Sequence, residues 1–415
     1  MTTIYGMLEC SSKSRICRNG IPFRPYHYLD QKNHVINSKK YTETHTDMWV
    51  KVIQKNTVTF ELSEVIGPVC YYEHELTLLR KVYNVYWKYP IVTTPRQQIQ
   101  SNQVDFYAFT VDGETTVDRD DAISIETKDD TVVIGVHITD VTNYPELFSF
   151  SKHIVSSAYW DTGCRHMLPP DLSLSLDKGR AYPCVSLQLT YSKQGLVLID
   201  TVLLPSTSVF ITDNFTYENF TPDPVLSTIS GTTETTDIIA FFMVQYNLYI
   251  AKNVPGILLR VQETPETRAY YSYELQAHSH FGELYAHGTS PMRRFADLCN
   301  QYMIKGKPVE DVDIESVNRR MTEIAQFHYH ETVMSMAYQC KDTPIRVLAV
   351  VRVIEDDKMI QVTLPMGKKV KIPLSDTFYA EPVCEQLKLC TDQTIDIELF
   401  GIHKHGKAML RVSLL

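Results

Sequence analysis

The sequence predicts an α+β multidomain fold in which small β-barrels flank a mixed central domain. Three observations predict it: strand-like alternation near the N-terminus, five strand-like runs near the C-terminus, and mixed strand and helix patterns between them. The chain has 415 residues, 44% hydrophobic and 21% charged, which is enough for two or three domains with a sizeable core. We expect domain boundaries that divide it into residues 1–75, 76–98, 99–343 and 344–415.

Residues 1–75 are expected to form an OB-like β-barrel. Short alternating segments, among them GMLEC and TVTFELSEVIG, are separated by turn residues and lack long helical stretches. Residues 76–98 contain the amphipathic pattern LTLLRKVYNVYWK, which ends at Pro90 and Pro95. This pattern predicts a linker helix that leads into the central domain.

The central segment, residues 99–343, alternates between strand and helix patterns. Apolar runs of period two predict strands at 106–111, 122–126 and 132–138. Helical spacing predicts three helices, at 237–252, 291–304 and 314–341. A mixed α/β domain is therefore expected to lie between the two β-rich ends.

Residues 344–415 are expected to form an OB/S1-like β-barrel. Five strand-like runs fall within this segment, namely IRVLAVVRVI, MIQVTLP, KKVKIPL, TIDIELFGI and AMLRVSL. Five short strands separated by turn residues fit a fold that often holds single-stranded nucleic acid. A barrel that serves only as a structural cap would have the same pattern.

Cysteine usage indicates a reducing, cytosol-like compartment, and hydropathy indicates a protein without a membrane-spanning segment. The chain has nine cysteines, none of which forms a CxxC pair or has the spacing of metal ligands, and such a set is typical of reduced thiols. They are Cys10, Cys17, Cys70, Cys164, Cys184, Cys299, Cys340, Cys384 and Cys390. The most apolar stretch, residues 238–251, is too short to span a membrane. We expect a cytoplasmic protein with no membrane partner, and a monomer.

The net charge is −9, and the acidic excess is concentrated in the central segment. A metal-binding core with local carboxylates would have this distribution, and so would an ordinary acidic enzyme.

The segment TVDGETTVDRDDAIS places four aspartates within ten residues: Asp112, Asp118, Asp120 and Asp121. Carboxylates this close repel one another, and a divalent cation relieves that repulsion. Carboxylate oxygens favour Mg²⁺ or Mn²⁺, and two such ions could activate a water and hold the leaving oxygen of a phosphodiester. A solvated acidic turn is the alternative, although the segment leads into apolar strands. The glycine and glutamate positions of an EF-hand are absent.

Four collinear motifs resemble the ribonuclease II (RNB) family of 3′→5′ exoribonucleases. The aspartate segment followed by IGVHITDVTNY is the first, and YWDTGCRHMLPPDLSLSL, with a tyrosine eight residues before Met-Leu-Pro, is the second. The third is ILLRVQETP and the fourth HFGELYAHGTSPMRRFADL. Together they extend over about 180 residues. The resemblance implies an RNB catalytic domain flanked by OB-type barrels.

The resemblance also implies roles for the aspartates. Asp112 and Asp121 would ligate metal, and Asp118 and Asp120 would complete the site. Asp120 is expected to matter most for turnover. Asp118 and Asp120 are therefore assigned both to metal binding and to catalysis.

Two tyrosines and an arginine are expected to contact RNA by the same resemblance. Tyr159 would stack on or hold the terminal nucleotide, and Tyr217, in FTYEN, matches an aromatic residue along the RNA path. Arg294 is the third predicted contact. A buried structural aromatic is the alternative for each tyrosine.

The Thr-Ser-Pro stretch predicts a helix start, with Ser290 at the N-cap and Pro291 at the first helical position. Free N–H groups and the dipole at a helix N-terminus attract anions. Arg293, in the first turn, could then reach a phosphate that gathers charge in the transition state, and only one arginine of the pair would touch it. The resemblance to the RNB family implies that Arg293 is this catalytic residue. A surface ion pair is the alternative. Arg294 points to a different face.

This sequence departs from the family pattern at two positions near the expected site. Phe241 stands where a helix of the family usually carries glutamate, and Gly288 replaces a usual aromatic residue. Recognition of the terminal sugar is the property that these changes put in question.

The predicted function is hydrolysis of single-stranded RNA from the 3′ end to nucleoside 5′-monophosphates by a metal-activated water. A catalytically weakened RNA-binding scaffold with the same fold is the first alternative. A metal-dependent phosphoesterase of small substrates is the second, and the flanking β-modules disfavour it.

Overall fold

The structure is a computed structural model. It describes these residues: 2–11, 20–28, 34–36, 45–56, 59–94, 99, 103–172, 174–265, 267–307, 309, 312–354, 357–363, 369–373 and 394–414. The chain divides into two compact units. The first comprises residues 1–86, 159–164 and 323–415, and the second comprises 87–158 and 165–322. The predicted four-part division stays a prediction, and its boundary near residue 98 lies outside the described residues.

The first unit contains a five-stranded antiparallel sheet from the N-terminal segment. Its strands are β1 (Thr2–Leu8), β2 (Ile21–Pro25), β3 (His34–Ile36), β4 (Met48–Gln54) and β5 (Phe60–Pro68). They are ordered β3-β2-β1-β4-β5 around a core that includes Phe23, Val50 and Val52. Helix α1 (Tyr72–Val82) follows this sheet.

A second five-stranded antiparallel sheet in this unit comes from the C-terminal segment. Its strands are β15 (Ile345–Ile354), β16 (Asp357–Thr363), β17 (Lys369–Pro373), β18 (Thr394–Lys404) and β19 (Lys407–Leu414). They are ordered β17-β16-β15-β18-β19. All five predicted runs are strands, although parts of two lie outside the described residues. The described strands of both modules form five-stranded sheets, and their OB type stays a prediction.

The second unit is built on a closed β-barrel. Its strands are β6 (Phe106–Asp112), β7 (Asp121–Thr127), β8 (Thr131–Thr139), β11 (Ala181–Ser192) and β12 (Leu198–Thr216). The order is β11-β12-β6-β7-β8, with β12 and β6 parallel and the other pairs antiparallel. Valine, isoleucine and leucine side chains that alternate along β8 and β11 form one hydrophobic cluster with apolar residues of the segment 238–251, so they face outward from the barrel toward that segment. The three strands predicted for this segment are confirmed within two residues at each end.

Two short strand pairs and several helices complete the chain. The pairs are β9 (Ala158–Trp160) with β10 (Gly163–Arg165), and β13 (Leu259–Val261) with β14 (Tyr270–Ser272). The helices are α2 (Pro145–Ile154), α3 (Pro224–Ser230), α4 (Thr235–Asn253), α5 (Phe295–Ile304) and α6 (Ile314–Gln339). Helix α4 packs on the barrel through Phe242, Tyr246 and Ile250, which are all fully buried.

The predicted start of the helix at 291–304 is wrong. Residues 291–293 form a turn, and α5 begins at Phe295 with Arg294 as its N-cap. The Ser-Pro pair therefore does not cap a helix. The backbone N–H groups of Arg293 and Arg294 both donate to the carbonyl oxygen of Ser290, which closes the turn before the helix.

No helix among the described residues is long and apolar enough to cross a membrane. Six cysteines fall in the described part of the chain, and all six are free thiols: Cys10, Cys70, Cys164, Cys184, Cys299 and Cys340.

Candidate functional site

The strands β6 and β7 bring the four aspartates to one rim of the barrel. Strand β6 ends at Asp112 and strand β7 begins at Asp121, and the eight residues between them cross the rim. The two strands pair in antiparallel register at Phe109 and Ile123. The charge of Asp112 acts on Asp121, and the charge of Asp118 acts on Asp112, so the first aspartate lies close to later ones of the segment.

Asp120 is the most deeply buried carboxylate of the rim. Its side chain is 1% exposed, and its Oδ1 accepts a hydrogen bond of 2.8 Å from the backbone N–H of Met292. Its Oδ2 lies 3.3 Å from the Nε of Arg293 and has no hydrogen-bond partner among the described residues. Burial raises the pKa of Asp120 well above its usual range, and Arg293 opposes that shift.

Asp112 and Asp121 share this environment. The Oδ2 of Asp112 is buried without a hydrogen-bond partner in the described part of the chain, 3.9 Å from the Nε of Arg119. Burial raises the pKa of Asp112. Burial, followed by the Asp112 carboxylate, raises the pKa of Asp121 to about 7. Each carboxylate is thus placed where a nearby cation would favour its charged form.

Asp118, the fourth aspartate of the segment, lies next to His166. Its Oδ2 is 3.5 Å from the Nδ1 of His166, and both side chains line a small cavity of about 50 Å³ with Met292 and Ser175. The backbone carbonyl of His166 accepts hydrogen bonds from the side chains of Trp87 and Tyr89. These contacts hold the chain next to Asp118.

The turn that carries Arg293 is anchored by a buried aspartate. The Oδ1 of Asp297 accepts hydrogen bonds of 2.8 Å from the N–H of Ser290 and from the guanidinium of Arg294. The carbonyl of Arg293 accepts a hydrogen bond from the N–H of Ser157. With its backbone fixed on both sides, Arg293 extends its side chain, 42% exposed, over Asp120.

Arg294 occupies a different position from its neighbour. Its guanidinium is paired with Asp297, whose side chain is fully buried. The prediction that these two arginines point to different faces is therefore consistent with their contacts. The predicted contact of Arg294 with RNA stays a prediction.

The two predicted RNA-contacting tyrosines lie in different units. The backbone N–H of Tyr217 donates to the carbonyl of Asp112, and burial followed by Asp121 and Asp112 raises the pKa of Tyr217. Tyr217 is therefore close to the carboxylates. Tyr159, in the first unit, is 39% exposed, and its backbone N–H donates to the ring of His328. Their predicted contacts with the nucleotide stay predictions.

Gly288 packs against helix α4, and Phe241 lies within that helix. The N–H of Gly288 donates to the Oδ1 of Asn247, and an added Cβ would lie 2.4 Å from the Cδ1 of Ile250. A side chain at position 288 would therefore require the Ile250 side chain of helix α4 to shift. Phe241 is half-buried, with its ring perpendicular to that of Phe242 at 5.2 Å.

The donor atoms at the rim suit a hard cation. Among the described residues, no three His, Cys, Asp or Glu side chains form a ready-made metal site. Magnesium, however, is commonly held by one or two carboxylates, with water and substrate phosphate completing its shell. The unpartnered buried oxygens of Asp112 and Asp120 provide such carboxylates.

Several residues that organise the site were not identified from the sequence. Asp297 anchors the turn, Asn247 holds Gly288, and Arg119 lies beside Asp112 while also pairing with Asp177 at 3.2 Å. Only Asp297 had a sequence signal, because it follows Arg294 by three residues and opposite charges at that spacing can pair. The contact of Asn247 with Gly288 and that of Arg119 with Asp177 join segments far apart in the chain.

Residues 100–222 match the family model of the RNB domain. This segment contains the aspartate segment, all five strands of the barrel and Tyr217. The resemblance to the RNB family is therefore confirmed over residues 100–222, which hold the first two of the four motifs. No curated protein matches the chain.

Solved structures share the fold along nearly the whole chain. RNase R of Mycoplasma genitalium in complex with double-stranded RNA superposes with a TM-score of 0.73 at 14% identity, covering 99% of this chain and 95% of that one. Yeast Ssd1, a pseudonuclease, gives 0.70 at 12% identity, covering 100% and 83%. An active-site mutant of the Dss1 exoribonuclease from Candida glabrata gives 0.59 at 14%, covering 81% and 59%. At these identities the likeness establishes a common mixed α/β fold.

Proposed function

We propose that this protein is an exoribonuclease that hydrolyses single-stranded RNA from its 3′ end to nucleoside 5′-monophosphates. One observation carries the proposal. Asp112 and Asp120 each have a buried carboxylate oxygen with no hydrogen-bond partner among the described residues, at the rim of an RNB-fold barrel where the partly exposed guanidinium of Arg293 lies 3.3 Å from Asp120. Burying such groups is costly, and the cost is offset when a cation and a phosphate occupy the site.

Magnesium or manganese is the cofactor of this proposal. Asp112, Asp118, Asp120 and Asp121 would hold it, with water and the scissile phosphate as the remaining ligands. The bound ion would lower the pKa of a water and neutralise charge on the phosphate. The chain's own residues prepare the site, because the N–H of Met292 fixes one oxygen of Asp120 and leaves the other directed toward Arg293.

Arg293 and Tyr217 are the side chains that we propose to contact the phosphate and the nucleotide at the site of hydrolysis. The guanidinium of Arg293, anchored through its backbone and 42% exposed, would donate to the phosphate oxygens as negative charge develops on them. Tyr217 lies beside Asp112 and Asp121, where its ring would orient a nucleotide against the carboxylates. Tyr159 and Arg294 are the other contacts that we propose for RNA.

The remaining parts of the proposal concern the flanking sheets and the setting. The two five-stranded sheets of the first unit would act as OB-type modules that guide a single strand. The four-part domain division, a monomeric state and a cytoplasmic location belong to the same proposal.

Product analysis with two labels tests the proposal. The protein is incubated with 5′-labelled and 3′-labelled single-stranded RNA, with Mg²⁺ or with EDTA. The proposal expects stepwise shortening of the 5′-labelled RNA and immediate release of a labelled mononucleotide from the other, both only with metal. Internal cleavage, or shortening from the 5′ end, would contradict the proposed polarity.

An RNA-binding protein of the same fold that does not hydrolyse its ligand is the second candidate. Two observations favour it: Phe241 stands where the family usually has an acid, and Arg293 already neutralises part of the charge of Asp120. Tight RNA binding without shortening under Mg²⁺ or Mn²⁺ would favour this candidate over hydrolysis.

A further inference from the structure

Arg260 lies in β13, next to the turn that carries Arg293. It is paired across the short sheet with Tyr271 of β14, and its guanidinium carbon lies 4.7 Å from the centre of that ring. Its backbone N–H donates to the carbonyl of Tyr285. The position of the side chain is thus set from both neighbouring segments.

Within the described part of the chain, the guanidinium of Arg260 has no acidic partner. Among the described residues, no carboxylate forms an ion pair with it and no side chain or carbonyl accepts a hydrogen bond from it. Asp297 is the acid whose charge acts on it, but Asp297 already accepts from Ser290 and Arg294. The remaining contact is the ring of Tyr271.

The contacts of Arg260 do not offset the free-energy cost of partly burying its charge. Burial lowers the pKa of Arg260, which means that its charge is partly removed from water. A cation–π contact is a weak interaction, whereas removing a charge from water without an opposite charge beside it is costly. The ring therefore does not offset the burial, and an anion would.

Other cations increase the positive potential at this place. Burial, followed by the charges of Arg294, Arg260 and Arg293, lowers the pKa of His287 well below its usual range. Arg260 also lowers the pKa of His278, after burial. The two histidines are thus neutral neighbours of a group of arginines that belongs to the same unit as the aspartate rim.

We infer that Arg260 anchors a second phosphate-binding subsite, which holds a phosphate ester of the substrate other than the one under attack. Guanidinium groups bind phosphate oxygens in a bidentate manner, and Tyr271 leaves the N–H edges of Arg260 available. The identity of the ligand as single-stranded RNA rests on the proposed function, whereas the binding itself does not require hydrolysis. The phosphate belongs either to the RNA backbone or to a released nucleoside 5′-monophosphate.

The salt dependence of RNA binding tests this inference. The affinity of a short single-stranded RNA is measured in EDTA at several salt concentrations for wild type, Arg260→Met and Arg260→Lys. Lys193→Met is the control, because Lys193 lies in the hairpin between β11 and β12, at the end of the barrel opposite Asp121.

One lost phosphate contact has a defined signature. For Arg260→Met we expect binding about tenfold weaker and a slope of log affinity against log salt reduced by about 0.7. Arg260→Lys should keep the slope, because the charge remains, and Lys193→Met should match wild type. An unchanged slope in Arg260→Met, or equal weakening in both Arg260 variants at the wild-type slope, would overturn the inference.

Competition by adenosine 5′-monophosphate identifies the source of the phosphate. If it displaces RNA from wild type more effectively than from Arg260→Met, the subsite takes a released monophosphate; if it competes equally, the RNA backbone is the ligand. A slope change in a protein that hydrolyses no RNA would overturn the proposed function and leave the subsite standing. Hydrolysis of RNA by the wild-type protein, with no change of slope in Arg260→Met, would overturn the subsite and leave the proposed function standing.

Discussion

The Nε of Arg293 lies 3.3 Å from the Oδ2 of Asp120, and the two side chains differ sharply in exposure, at 42% and 1%. The buried carboxylate has one oxygen fixed by a backbone N–H and the other without a hydrogen bond among the described residues. The exposed guanidinium is therefore the group through which this pair can reach a substrate.

Substitution of Arg293 tests that relationship. In Arg293→Met, kcat should fall by about 100-fold or more, since a preorganised donor to the developing charge is lost. KM should change much less, because the donor acts mainly on the charge that develops in the transition state. Arg293→Lys, which retains the charge and loses the planar fork, should fall between. An unchanged kcat in Arg293→Met would show that the guanidinium does not act on the transition state.

Gly288 provides a test of the packing behind the site. A Cβ there would lie 2.4 Å from the Cδ1 of Ile250 and 3.0 Å from the Cε1 of Tyr246. Gly288→Ala should therefore lower the free energy of unfolding by about 1–3 kcal/mol. Removing the Cδ1 with Ile250→Val in the same protein should restore part of this loss, as a double-mutant cycle by denaturant unfolding would measure. Additive effects of the two substitutions would contradict the contact.

The sequence predicted only some of the strands and helices around the candidate site correctly. Alternation and helical spacing located β6, β7, β8 and helix α4 to within two residues, because these segments have strong periodic patterns. The start of α5 was misplaced by four residues, since Ser290 and Pro291 form a good capping pair in isolation. In the structure the N–H of Ser290 bonds to Asp297 instead, and the chain turns before the helix begins.

The candidate site divides in the same way. The aspartates of the rim and Arg293 are adjacent in sequence to recognisable motifs, so their residue types alone were informative. The role of Asn247 depends on its contact with Gly288, which lies far from it in the chain. Arg260 falls within the motif ILLRVQETP, but its residue type alone did not indicate what its side chain contacts.

Glu75 predicts a pH dependence of stability in the first unit. It is fully buried and accepts hydrogen bonds from the N–H of Ala408 and the hydroxyl of Tyr338. Burial raises its pKa from 4.5 to about 7. The folded state thus holds this proton more tightly than the unfolded chain, so the stability gained is present at low pH and is lost as pH rises through about 7.

Glu75→Gln should remove that dependence, because its amide does not titrate; its oxygen can still accept from the N–H of Ala408, and its NH2 group can donate to the hydroxyl of Tyr338. The melting temperature of wild type should fall more steeply than that of the variant as the pH is raised from about 5 to about 8. Burial lowers the pKa of His330, in the same unit, to about 4, which contributes the opposite slope in both proteins. The difference between the two curves therefore isolates Glu75, and parallel curves would contradict its raised pKa.

The most direct test of the account is the single-turnover hydrolysis of 5′-labelled single-stranded RNA in Mg²⁺ by wild type and Asp120→Asn. Asp213→Asn is the matched control, because this residue of β12 is 42% exposed and pairs with Lys178. We predict that Asp120→Asn loses at least about a thousandfold in rate and binds RNA within a factor of a few of wild type, and that Asp213→Asn behaves as wild type. A near-normal rate in Asp120→Asn would contradict the assignment of the aspartate rim as the catalytic centre.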